Sequence, residues 1–587
     1  MPQSTDNRTL RPVTIWLTGI SGSGKSTIAN GVVTQLKSLG YNAINLDGDK
    51  LRTGLNSDLG FSPADRKENL RRTAEVATIL AESNLLLPVV SLISPFEADR
   101  ALARSIHSSK GVDFLECYMD TPVEECERRD PKGLYKKFRS GLIKGFTGID
   151  APYEKPETPD LILTTMDLNV EESVEKVIRL LEERQCIHTR ILELFTPSHL
   201  LPEIKERLNA EDSQQIARLD ITRIDLEWIQ VLSEGWATPL TGFMRELEYL
   251  ECIHKGTIRG GLVNQTIPIV LSISTLDKQR LENEQEIGLW YKNTCYAILK
   301  EPEFYSHRKE ERCARIFGTT DLGHPTIKMI YESGDYLVGG DLSVFEKITW
   351  NDGLDQYRLT PGELRAKFKK MGADAVYAFQ LRNPIHNGHT LLMQETRRQL
   401  LKRQCQNPVL LLHPLGGWTK EDDVPLKVRI EQHKAILEER ALDPDSTVLA
   451  IFPSPMSYAG PVEVQWHCKA RLVTGANYYI VGRDPAGIGH PNGSGDLYNG
   501  AHGAKLLQIA RGLSQFDIIP FKVAAYNIEK SCMDFYEPNE ADKFLFISGT
   551  QMRTLARNGQ TPPEGFMVTK AWKILADFYQ SQSQSNQ

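Results

Sequence analysis

A glycine-rich octapeptide near the N-terminus has the residue types and spacing of a phosphate-binding loop. The run from Gly19 to Ser26 reads GISGSGKS and matches G-x-x-x-x-G-K-[ST]. In such a loop backbone N–H groups surround phosphate oxygens, the lysine reaches the β- and γ-phosphates, and the last hydroxyl can ligate Mg²⁺. We therefore predict that a nucleoside triphosphate binds to Gly19, Ser21, Gly22, Ser23, Gly24, Lys25, Ser26 and Thr27. A turn that binds no ligand is the alternative, and the predicted strand and helix on either side argue against it.

Acidic and basic side chains follow the next predicted strand. Asp47 and Asp49 lie in LDGDKLR, where a carboxylate could take a proton from an acceptor hydroxyl or join Ser26 in holding Mg²⁺. Guanidinium and amide groups that suit an anionic acceptor, and a ring that could stack on a base, come next at Arg52, Phe61, Arg66 and Asn69. An ordinary solvated helix face is an equally good interpretation of Arg66 and Arg72.

A pair of histidines at a strand-to-helix turn forms a second candidate site, in DAVYAFQLRNPIHNGHTLLM. His386 and His389 are three residues apart at the start of a predicted helix, so they share one face. Beside Arg382 and Asn383, they could donate hydrogen bonds to a triphosphate as charge moves onto a leaving pyrophosphate. Zinc binding needs a third ligand and usually an acidic base, and the intervening Asn-Gly supplies neither. Core packing of the pair is the other alternative, which the polar neighbours weaken.

The elements that position both sites alternate as in an α/β protein with mostly parallel sheets. We predict strands over residues 13–17, 43–46, 86–92, 114–119, 161–163, 375–379, 409–412 and 478–481. We predict helices over residues 25–39, 171–183 and 390–401, and helices that begin at Lys67 and Thr121. Residues 226–350 have a β-rich composition with little helical periodicity. The segment 129–153, rich in Lys, Arg and Gly, is a candidate mobile lid.

Composition limits the function classes. The chain has 587 residues, 40% hydrophobic and 25% charged, which is ordinary globular usage. With 69 Lys and Arg against 76 Asp and Glu, a net charge of -7 argues against a dedicated nucleic-acid-binding protein.

No apolar run reaches the ~20 residues that cross a membrane, and the N-terminus lacks a secretory pattern. Nine cysteines without zinc-like spacing indicate reduced thiols. We expect a cytoplasmic protein, with a nuclear share left open.

Several long motifs in residues 14–185 resemble the adenylylsulfate (APS) kinase family: DGDKLR, GLNSDLGFSPADRKENLRR, SLISPF, RDPKGLYKK and IKGFTGID. The resemblance implies that ATP binds to the glycine-rich loop and that Lys25, Asp49 and Ser94 are catalytic. It implies an APS pocket of Asp49, Arg52, Phe61, Arg66, Lys67, Glu68, Asn69, Ile93, Ser94, Lys132, Gly145 and Phe146. Asp49 would be the base for the ribose 3'-hydroxyl, Asp47 its support, and Phe61 and Phe146 would enclose the adenine. A transient phospho-acceptor role is the alternative for Ser94.

The histidine segment belongs to a second set of motifs, which resembles ATP sulfurylase over residues 194–579. These motifs include EGWATPLTGFM, QLRNPIHNGH, LLHPLGGWTKEDDVP, IVGRDPAGIGHP and FISGTQMR. The resemblance implies an ATP and sulfate site of Gln380, Leu381, Arg382, Asn383, His386, His389, Gly482, Arg483, Asp484, Pro485, Ala486 and Ala524. In it Gln380 and Arg382 would bind sulfate, the histidines would stabilise the leaving pyrophosphate, and Arg483 would contact phosphate. Thr550 and Arg553 could also touch the triphosphate, with a helix cap as the alternative.

A kinase followed by a sulfurylase is the arrangement of the animal-type bifunctional 3'-phosphoadenosine 5'-phosphosulfate (PAPS) synthetase family. The resemblance implies an α/β multidomain fold with a P-loop kinase, a β-rich PUA-like domain and a Rossmann-like nucleotidyltransferase domain. We predict the kinase over residues 1–186, a linker and the start of the sulfurylase over 187–225, the PUA-like domain over 226–359, and the catalytic domain with a small C-terminal lobe over 360–587. The expected partners are ATP with Mg²⁺, sulfate, APS and a second copy of the chain. A module that only binds nucleotide, or an adenylyltransferase for another acceptor, is the competing hypothesis.

Overall fold

The structure is a computed structural model, and it describes residues 12–38, 41–83, 86–184, 186–187, 191–208, 215–261, 263–482, 485–513, 516–520 and 522–585. The chain divides into two compact units. One comprises residues 1–190 with 257–264, and the other comprises residues 191–256 with 265–587. Among the described residues, no helix combines the length and the apolar character that crossing a bilayer requires.

The first unit is a parallel five-stranded sheet in the order β2-β3-β1-β4-β5, with helices around it. Its strands are β1 (Val13–Thr18), β2 (Ala43–Asp47), β3 (Leu87–Ser91), β4 (Asp113–Met119) and β5 (Leu161–Leu163). Its helices are α1 (Lys25–Ser38), α2 (Gly48–Arg52), α3 (Pro63–Glu82), α4 (Glu97–Ser109), α5 (Val123–Arg129), α6 (Leu134–Arg139) and α7 (Val170–Glu183). Because all five strands run the same way, the loops that follow them gather at one edge, where ligands of such sheets bind.

The predicted strands of this unit are confirmed, and two helix starts are wrong. Helix α3 begins at Pro63 rather than Lys67, because the Ser62 hydroxyl caps it by accepting the N–H of Asp65 at 3.2 Å and proline suits the first turn. Helix α5 begins at Val123 rather than Thr121, after Pro122. Pro88 does not break β3, since pairing with β1 starts one residue later.

The second unit begins with a mostly antiparallel six-stranded sheet in the order β10-β13-β12-β11-β6, with β7 beside β13. Strands β6 to β13 are Ala217–Asp220, Gly242–Phe243, Thr257–Ile258, Val263–Asn264, Leu271–Ile273, Glu286–Tyr291, Thr294–Ser306 and Tyr336–Val344, of which β8 and β9 form a separate hairpin in the residues grouped with the first unit. Helices α8 to α13 are Leu201–Leu208, Arg223–Ser233, Glu246–Lys255, Thr275–Leu281, Lys309–Phe317 and Pro325–Glu332.

The sheet of this region agrees with the predicted β-rich character, but the prediction missed the helices between its strands. Helix α9 explains why. All eight of its residues from Leu226 to Ser233 are buried, including Glu227 and Gln230, so it has no solvated face to produce a 3.6-residue hydrophobic period.

The rest of the second unit is a parallel sheet in the order β16-β15-β14-β17-β18, followed by a small antiparallel sheet in the order β20-β19-β21. Strands β14 to β21 are Ala375–Leu381, Pro408–Pro414, Thr447–Leu449, Tyr478–Val481, Asp517–Pro520, Ala524–Asn527, Cys532–Phe535 and Phe544–Leu545. Helices α14 to α20 are Pro361–Lys370, Asn387–Lys402, Leu426–Glu438, Pro461–Val473, His502–Leu507, Gly549–Arg557 and Thr569–Ser585. Phe566 and Trp572 share one hydrophobic core with Leu410 and Leu412 of β15, so the C-terminal elements are packed into the parallel domain.

Candidate active sites

The glycine-rich loop joins β1 to α1, as the motif requires. Gly22 has φ 79°, and a Cβ there would come within 2.8 Å of the Cys126 carbonyl oxygen. A side chain at this position would therefore force the loop away from α5. Gly19 and Gly24 also have positive φ, whereas Thr27 lies beyond the turn with an exposed side chain. The loop thus keeps backbone N–H groups accessible at the N-terminus of α1.

Lys25 is held across this loop by uncharged oxygens. Its Nζ donates to the Ile20 carbonyl at 2.7 Å and lies 3.4 Å from the Ser23 hydroxyl. Burial lowers the pKa of Lys25 to about 8. A bound phosphate would raise the pKa of Lys25 again and keep its ammonium charged, because an adjacent anion favours the charged form of a lysine.

Ser26 and Asp47 face each other at the carboxyl edge of the sheet. The Ser26 hydroxyl donates to Asp47 Oδ2 at 2.6 Å, and Ser91 donates to the same oxygen at 3.0 Å. Burial alone would raise the pKa of Asp47, but hydrogen bonds from Ser26, the Asp49 backbone and Ser91 outweigh it and lower that pKa. A carboxylate and a hydroxyl are the hard oxygen donors that Mg²⁺ prefers, so this pair fits the expected ion.

Asp49, the residue expected to act as base, is in contact with Lys132 from the candidate lid. Lys132 Nζ donates to Asp49 Oδ2, although 83 residues separate them. Both side chains are more than half exposed, at 53% for Lys132 and 68% for Asp49. The lid segment contains helix α6, whose Tyr135 hydroxyl donates to the Ser21 carbonyl of the phosphate loop at 2.9 Å.

Arg66 joins the two segments that carry the expected adenine-stacking rings. Its Nε donates to the Phe61 carbonyl at 3.0 Å, and its Nη2 donates to the Gly145 carbonyl, next to Phe146, at 3.2 Å. Arg52 lies over the Phe61 ring, 4.6 Å from its centroid, and that ring is 71% exposed. The interpretation of Arg66 as a plain solvated side chain is therefore wrong.

Three other residues of the expected APS pocket have different surroundings. Glu68 pairs with Arg71 and Arg72 on the surface of α3, and hydrogen bonds from these arginines lower its pKa to about 2. Asn69 is buried and accepts a hydrogen bond from Asn56 at 2.8 Å, whereas Lys67 is exposed. The side chain of Glu68 is thus committed to neighbouring arginines.

Ser94 is buried in a left-handed backbone conformation with φ 46°. Its hydroxyl accepts the indole N–H of Trp16 at 3.0 Å, and its carbonyl accepts a hydrogen bond from the fully buried Arg100 at 2.8 Å. The preceding carbonyl, of Ile93, accepts from Thr18 at 2.7 Å. Non-glycine residues in this conformation cluster at functional sites, where surrounding contacts hold the strain.

A cavity of about 760 Å³ adjoins the phosphate loop, and sequence motifs did not indicate it. It is lined by Ile20, by residues 118–123 at and beyond the end of β4, by residues 148–153 of the candidate lid, and by Thr164, Met166 and Asp167 after β5. These segments are distant in sequence and meet only because the sheet brings its carboxyl ends together. A nucleotide with its phosphates in the loop would lie within reach of this cavity.

In the second unit, β14 runs through a short turn into α15, and the two histidines form the cap of this helix. His386 Nδ1 accepts the N–H of Gly388 at 3.1 Å, and His389 Nδ1 faces the N–H of His386 at 3.4 Å. The ring centroids are 3.9 Å apart. Since each Nδ1 faces a donor, each neutral ring carries its hydrogen on Nε2. The pair therefore has two Nε2–H groups that can donate to an anion.

The C-terminal elements close over this turn. Phe566 stacks on His386 with centroids 5.4 Å apart, and its carbonyl accepts the N–H of Asn387 at 2.9 Å. The Asn387 side chain donates to the Gly565 carbonyl at 2.9 Å, and a Cβ at Gly388 would come within 2.8 Å of Met533. Burial lowers the pKa of His386 to about 4 and, together with the charges of His386 and His433, lowers the pKa of His389 well below its usual value. The histidines are therefore neutral near pH 7.

Gln380 and Arg382 lie at the end of β14, on either side of Leu381. Arg382 Nη2 donates to the Gly487 carbonyl at 2.7 Å, whereas its Nη1 is buried without a hydrogen-bond partner among the described residues. The Asp423 carboxylate is 3.8 Å from Nη1. The Leu381 carbonyl accepts the N–H of Leu415, so that residue contributes backbone only. An oxyanion would supply the acceptor that Nη1 lacks.

The remaining residues of this expected site are dispersed. Gly482 directly follows β17, and Arg483 and Asp484 lie outside the described residues. Ala486 is fully buried beside Gly487, the partner of Arg382, and Pro485 is half-buried, whereas Ala524 starts β19 in the small sheet and Asn383 is exposed. Ser548, and not Thr550, caps α19, and Thr550 instead accepts from Arg553 at 3.1 Å.

Two other buried histidines predict acid sensitivity of the second unit. Burial, followed by the charge of Arg312 or Arg429, lowers the pKa of His307 and of His433 to about 3. Because the unfolded chain binds these protons near pH 6.5, the stability is complete above that pH and falls as the pH decreases towards 3.

We expect each of His307 and His433 to cost about 2 kcal/mol of unfolding free energy between pH 7.5 and 5. Calorimetric melting over this range would measure the loss of unfolding free energy. In His433→Asn, the slope of unfolding free energy against pH should correspond to about one proton fewer taken up on unfolding. Equal stability at both pH values would contradict the prediction.

A P-loop fold joined to a nucleotidyltransferase fold with a paired-histidine turn defines a multifunctional nucleotide-dependent transferase. Comparisons with known families agree. The Adenylylsulphate kinase family matches residues 11–164, the PUA-like domain residues 197–347, and the ATP-sulfurylase family residues 355–578. These matches confirm the predicted fold classes and their order.

One relative covers nearly the whole chain. The chain is 30% identical to "Probable bifunctional SAT/APS kinase 2" of Sorangium cellulosum over 97% of this chain and 99% of that one. It is 52% identical to "ATP sulfurylase 2" of Arabidopsis thaliana over 66% of this chain and 82% of that one. A solved structure, "Hexameric APS kinase from Thiobacillus denitrificans", is similar in fold at 17% identity and a TM-score of 0.50, over 66% of this chain and 67% of that one.

The chain belongs to the bifunctional ATP sulfurylase and APS kinase family. Its C-terminal domain makes APS and pyrophosphate from ATP and sulfate, and its N-terminal domain converts APS and a second ATP to PAPS and ADP.

Proposed function

We propose that each reaction is a direct transfer carried out by the residues identified above, with Mg²⁺ accompanying the ATP. The observation that carries the kinase half is the contact between Lys132 and Asp49 beside the phosphate loop. The sulfurylase half rests on the two Nε2–H groups of His386 and His389 and on Arg382 Nη1, which is buried without a hydrogen-bond partner among the described residues.

In the kinase, the ribose 3'-oxygen of APS attacks the γ-phosphorus of ATP. The bond from this phosphorus to the bridging oxygen breaks, ADP leaves, and Asp49 accepts the hydroxyl proton. Lys25 and the loop N–H groups stabilise the charge of the phosphates. Ser26 and Asp47 would hold Mg²⁺, which supplies further charge neutralisation. Arg52 and Arg66 position the anionic acceptor, and Phe61 and Phe146 enclose its adenine.

In the sulfurylase, a sulfate oxygen attacks the α-phosphorus of ATP and pyrophosphate leaves. No proton has to be transferred, because sulfate and pyrophosphate are both anions, so positioning does most of the catalysis. Gln380 and Arg382 hold sulfate, with a backbone N–H of Ala486 or Ala524. Asn383, Gly482, Arg483, Asp484 and Pro485 hold ATP, while His386 and His389 donate to the leaving pyrophosphate. A homodimer is the expected assembly.

Incubation of the protein with ATP, Mg²⁺ and radiolabelled sulfate, with inorganic pyrophosphatase present, tests the proposal if APS and PAPS are followed separately. We expect APS to form first and to be consumed as PAPS appears. Chelation of Mg²⁺ should stop both steps.

Ser94 distinguishes direct transfer from a phosphorylated intermediate. Since its hydroxyl is buried against Trp16, we expect Ser94→Ala to keep PAPS formation from supplied APS within about tenfold of wild type, the cost of a buried hydrogen bond. With γ-labelled ATP and no APS, the wild-type protein should carry no label. Label on Ser94 that is chased into PAPS would support the phospho-acceptor alternative instead.

A further inference from the structure

Behind the proposed sulfate ligand Gln380 lies a buried network of polar side chains. The Gln380 amide nitrogen is 3.4 Å from Nε2 of His467, and its oxygen is 3.4 Å from the Tyr479 hydroxyl. His467 and Tyr479 are both fully buried, on α17 and β17. The network therefore contacts the end of Gln380 without being exposed to solvent.

Glu463 completes this network from the first turn of α17. One of its carboxylate oxygens lies 3.4 Å from His467 Nε2 and accepts the N–H of Ser457 at 2.8 Å. The other accepts the N–H of Ala459 at 3.1 Å. These backbone donors hold the carboxylate in place next to the imidazole.

The position of the His467 hydrogen follows from its neighbours. A carboxylate only accepts hydrogen bonds, so Glu463 requires a hydrogen on His467 Nε2. Nδ1 has no hydrogen-bond partner among the described residues, and a hydrogen placed there would be a buried unpaired donor. Both considerations favour the Nε2–H form.

This tautomer determines the orientation of the Gln380 amide. The two ends of an amide have nearly the same shape, so their hydrogen bonds decide which way it faces. An Nε2–H donor, shared with Glu463, pairs with the amide oxygen, so the oxygen and nitrogen of the amide exchange the positions given above and the NH₂ group becomes the end that donates away from His467. The Tyr479 hydroxyl is compatible with this orientation, because a phenol can accept a hydrogen bond from the NH₂ group as well as donate one to the oxygen.

We infer that Glu463 and His467 are positioning residues that make Gln380 present N–H to the bound oxyanion. The site then selects an oxyanion without hydrogens, such as sulfate, over one with a hydroxyl, such as hydrogen phosphate. Sulfate only accepts hydrogen bonds, whereas hydrogen phosphate can also donate one to an amide oxygen. The inference rests on the proposed role of Gln380 in sulfate binding.

Glu463→Gln tests this directly, because a glutamine at 463 can donate to His467 Nε2 and removes the preference for the Nε2–H form. We expect the KM for sulfate to rise about tenfold or more, the loss typical of a hydrogen bond to a charged group, with the KM for ATP within about twofold. The ratio of the phosphate inhibition constant to the sulfate KM should fall about tenfold. Formation of labelled APS and PAPS from radiolabelled sulfate provides the measurement.

Glu234→Gln is the matched control. Glu234 is an equally buried carboxylate that accepts hydrogen bonds from Gln230 and Trp236. Glu234→Gln therefore reproduces the loss of stability on replacing a buried carboxylate with an amide, without altering a contact of His467. A common rise in the KM for sulfate and ATP with a loss of melting temperature like that of the control would overturn the inference. An unchanged sulfate KM would also overturn it. If Glu463→Gln does not fold, His467→Asn with the same sulfate-to-phosphate measurement replaces it.

Gln380→Ala separates this inference from the proposed function. If that variant leaves the sulfate KM unchanged, the assignment of Gln380 itself is wrong. If it raises the KM while Glu463→Gln does not, only the positioning role is wrong. In the double variant we expect no further rise in sulfate KM beyond that of Gln380→Ala, since both changes act through one group.

Discussion

Lys25→Ala should uncouple the two reactions. We expect the variant to accumulate APS from ATP and sulfate while PAPS formation falls by about 10²–10³, the usual effect of removing one electrostatic donor from a transition state. The physical reason is that Lys25 Nζ is held over the phosphate loop by the Ile20 carbonyl, where nothing else on the loop carries a positive side chain. The measurement follows radiolabelled sulfate into APS and PAPS, with pyrophosphatase added because APS formation is energetically uphill.

Lys37→Ala is the matched control for this experiment. It removes an exposed lysine from the last turn of the same helix, so both reactions should continue at wild-type rates. Undiminished PAPS formation by Lys25→Ala would refute the assignment of the loop to the kinase reaction. It would also favour the alternative in which this unit only binds nucleotide.

His389→Ala should have the opposite effect. We expect APS formation to fall by about 10²–10³, whereas supplied APS is still phosphorylated at the wild-type rate. The substitution removes one of two Nε2–H donors and also the Nδ1 partner of the His386 N–H, so the remaining imidazole loses its fixed position. Pyrophosphate-dependent formation of ATP from APS would measure the same step in reverse.

His254→Ala provides the comparison for the second variant, because it removes an exposed histidine that pairs with Glu311 outside the site. Wild-type APS formation by His389→Ala would remove the histidine pair from the mechanism. Loss of both activities would instead indicate general unfolding.

Strong local patterns predicted much of the fold and part of each site. The glycine-rich loop, the strands beside it and the turn before α15 follow from motif and period, and β5 and β17 were predicted to the residue. The start of α3 was wrong because a proline and a cap outweighed the later apolar period. Helix α9 was missed because it is buried on every side from Leu226 to its end.

The contacts between distant segments could not be predicted in this way. The family resemblance placed these residues in one pocket, but no period or spacing in the sequence indicates that Lys132 contacts Asp49 or that Arg66 joins the Phe61 and Gly145 segments. The network behind Gln380 likewise links residues up to 99 positions apart. The resemblance assigned Glu68 to the APS pocket, but two arginines on its own helix engage it, a preference that depends on side-chain geometry. The domain boundaries and residue roles stay predictions.

The closure of Phe566 and Gly565 over the histidine turn has a consequence for the order in which the activities arise during synthesis. The kinase residues from Gly19 to Phe146 are all translated early. The turn at His386 cannot be finished until residues near the C-terminus have left the ribosome, because they supply the stacking ring and two carbonyl acceptors. We therefore expect a growing chain to complete the site that consumes APS before the site that makes it.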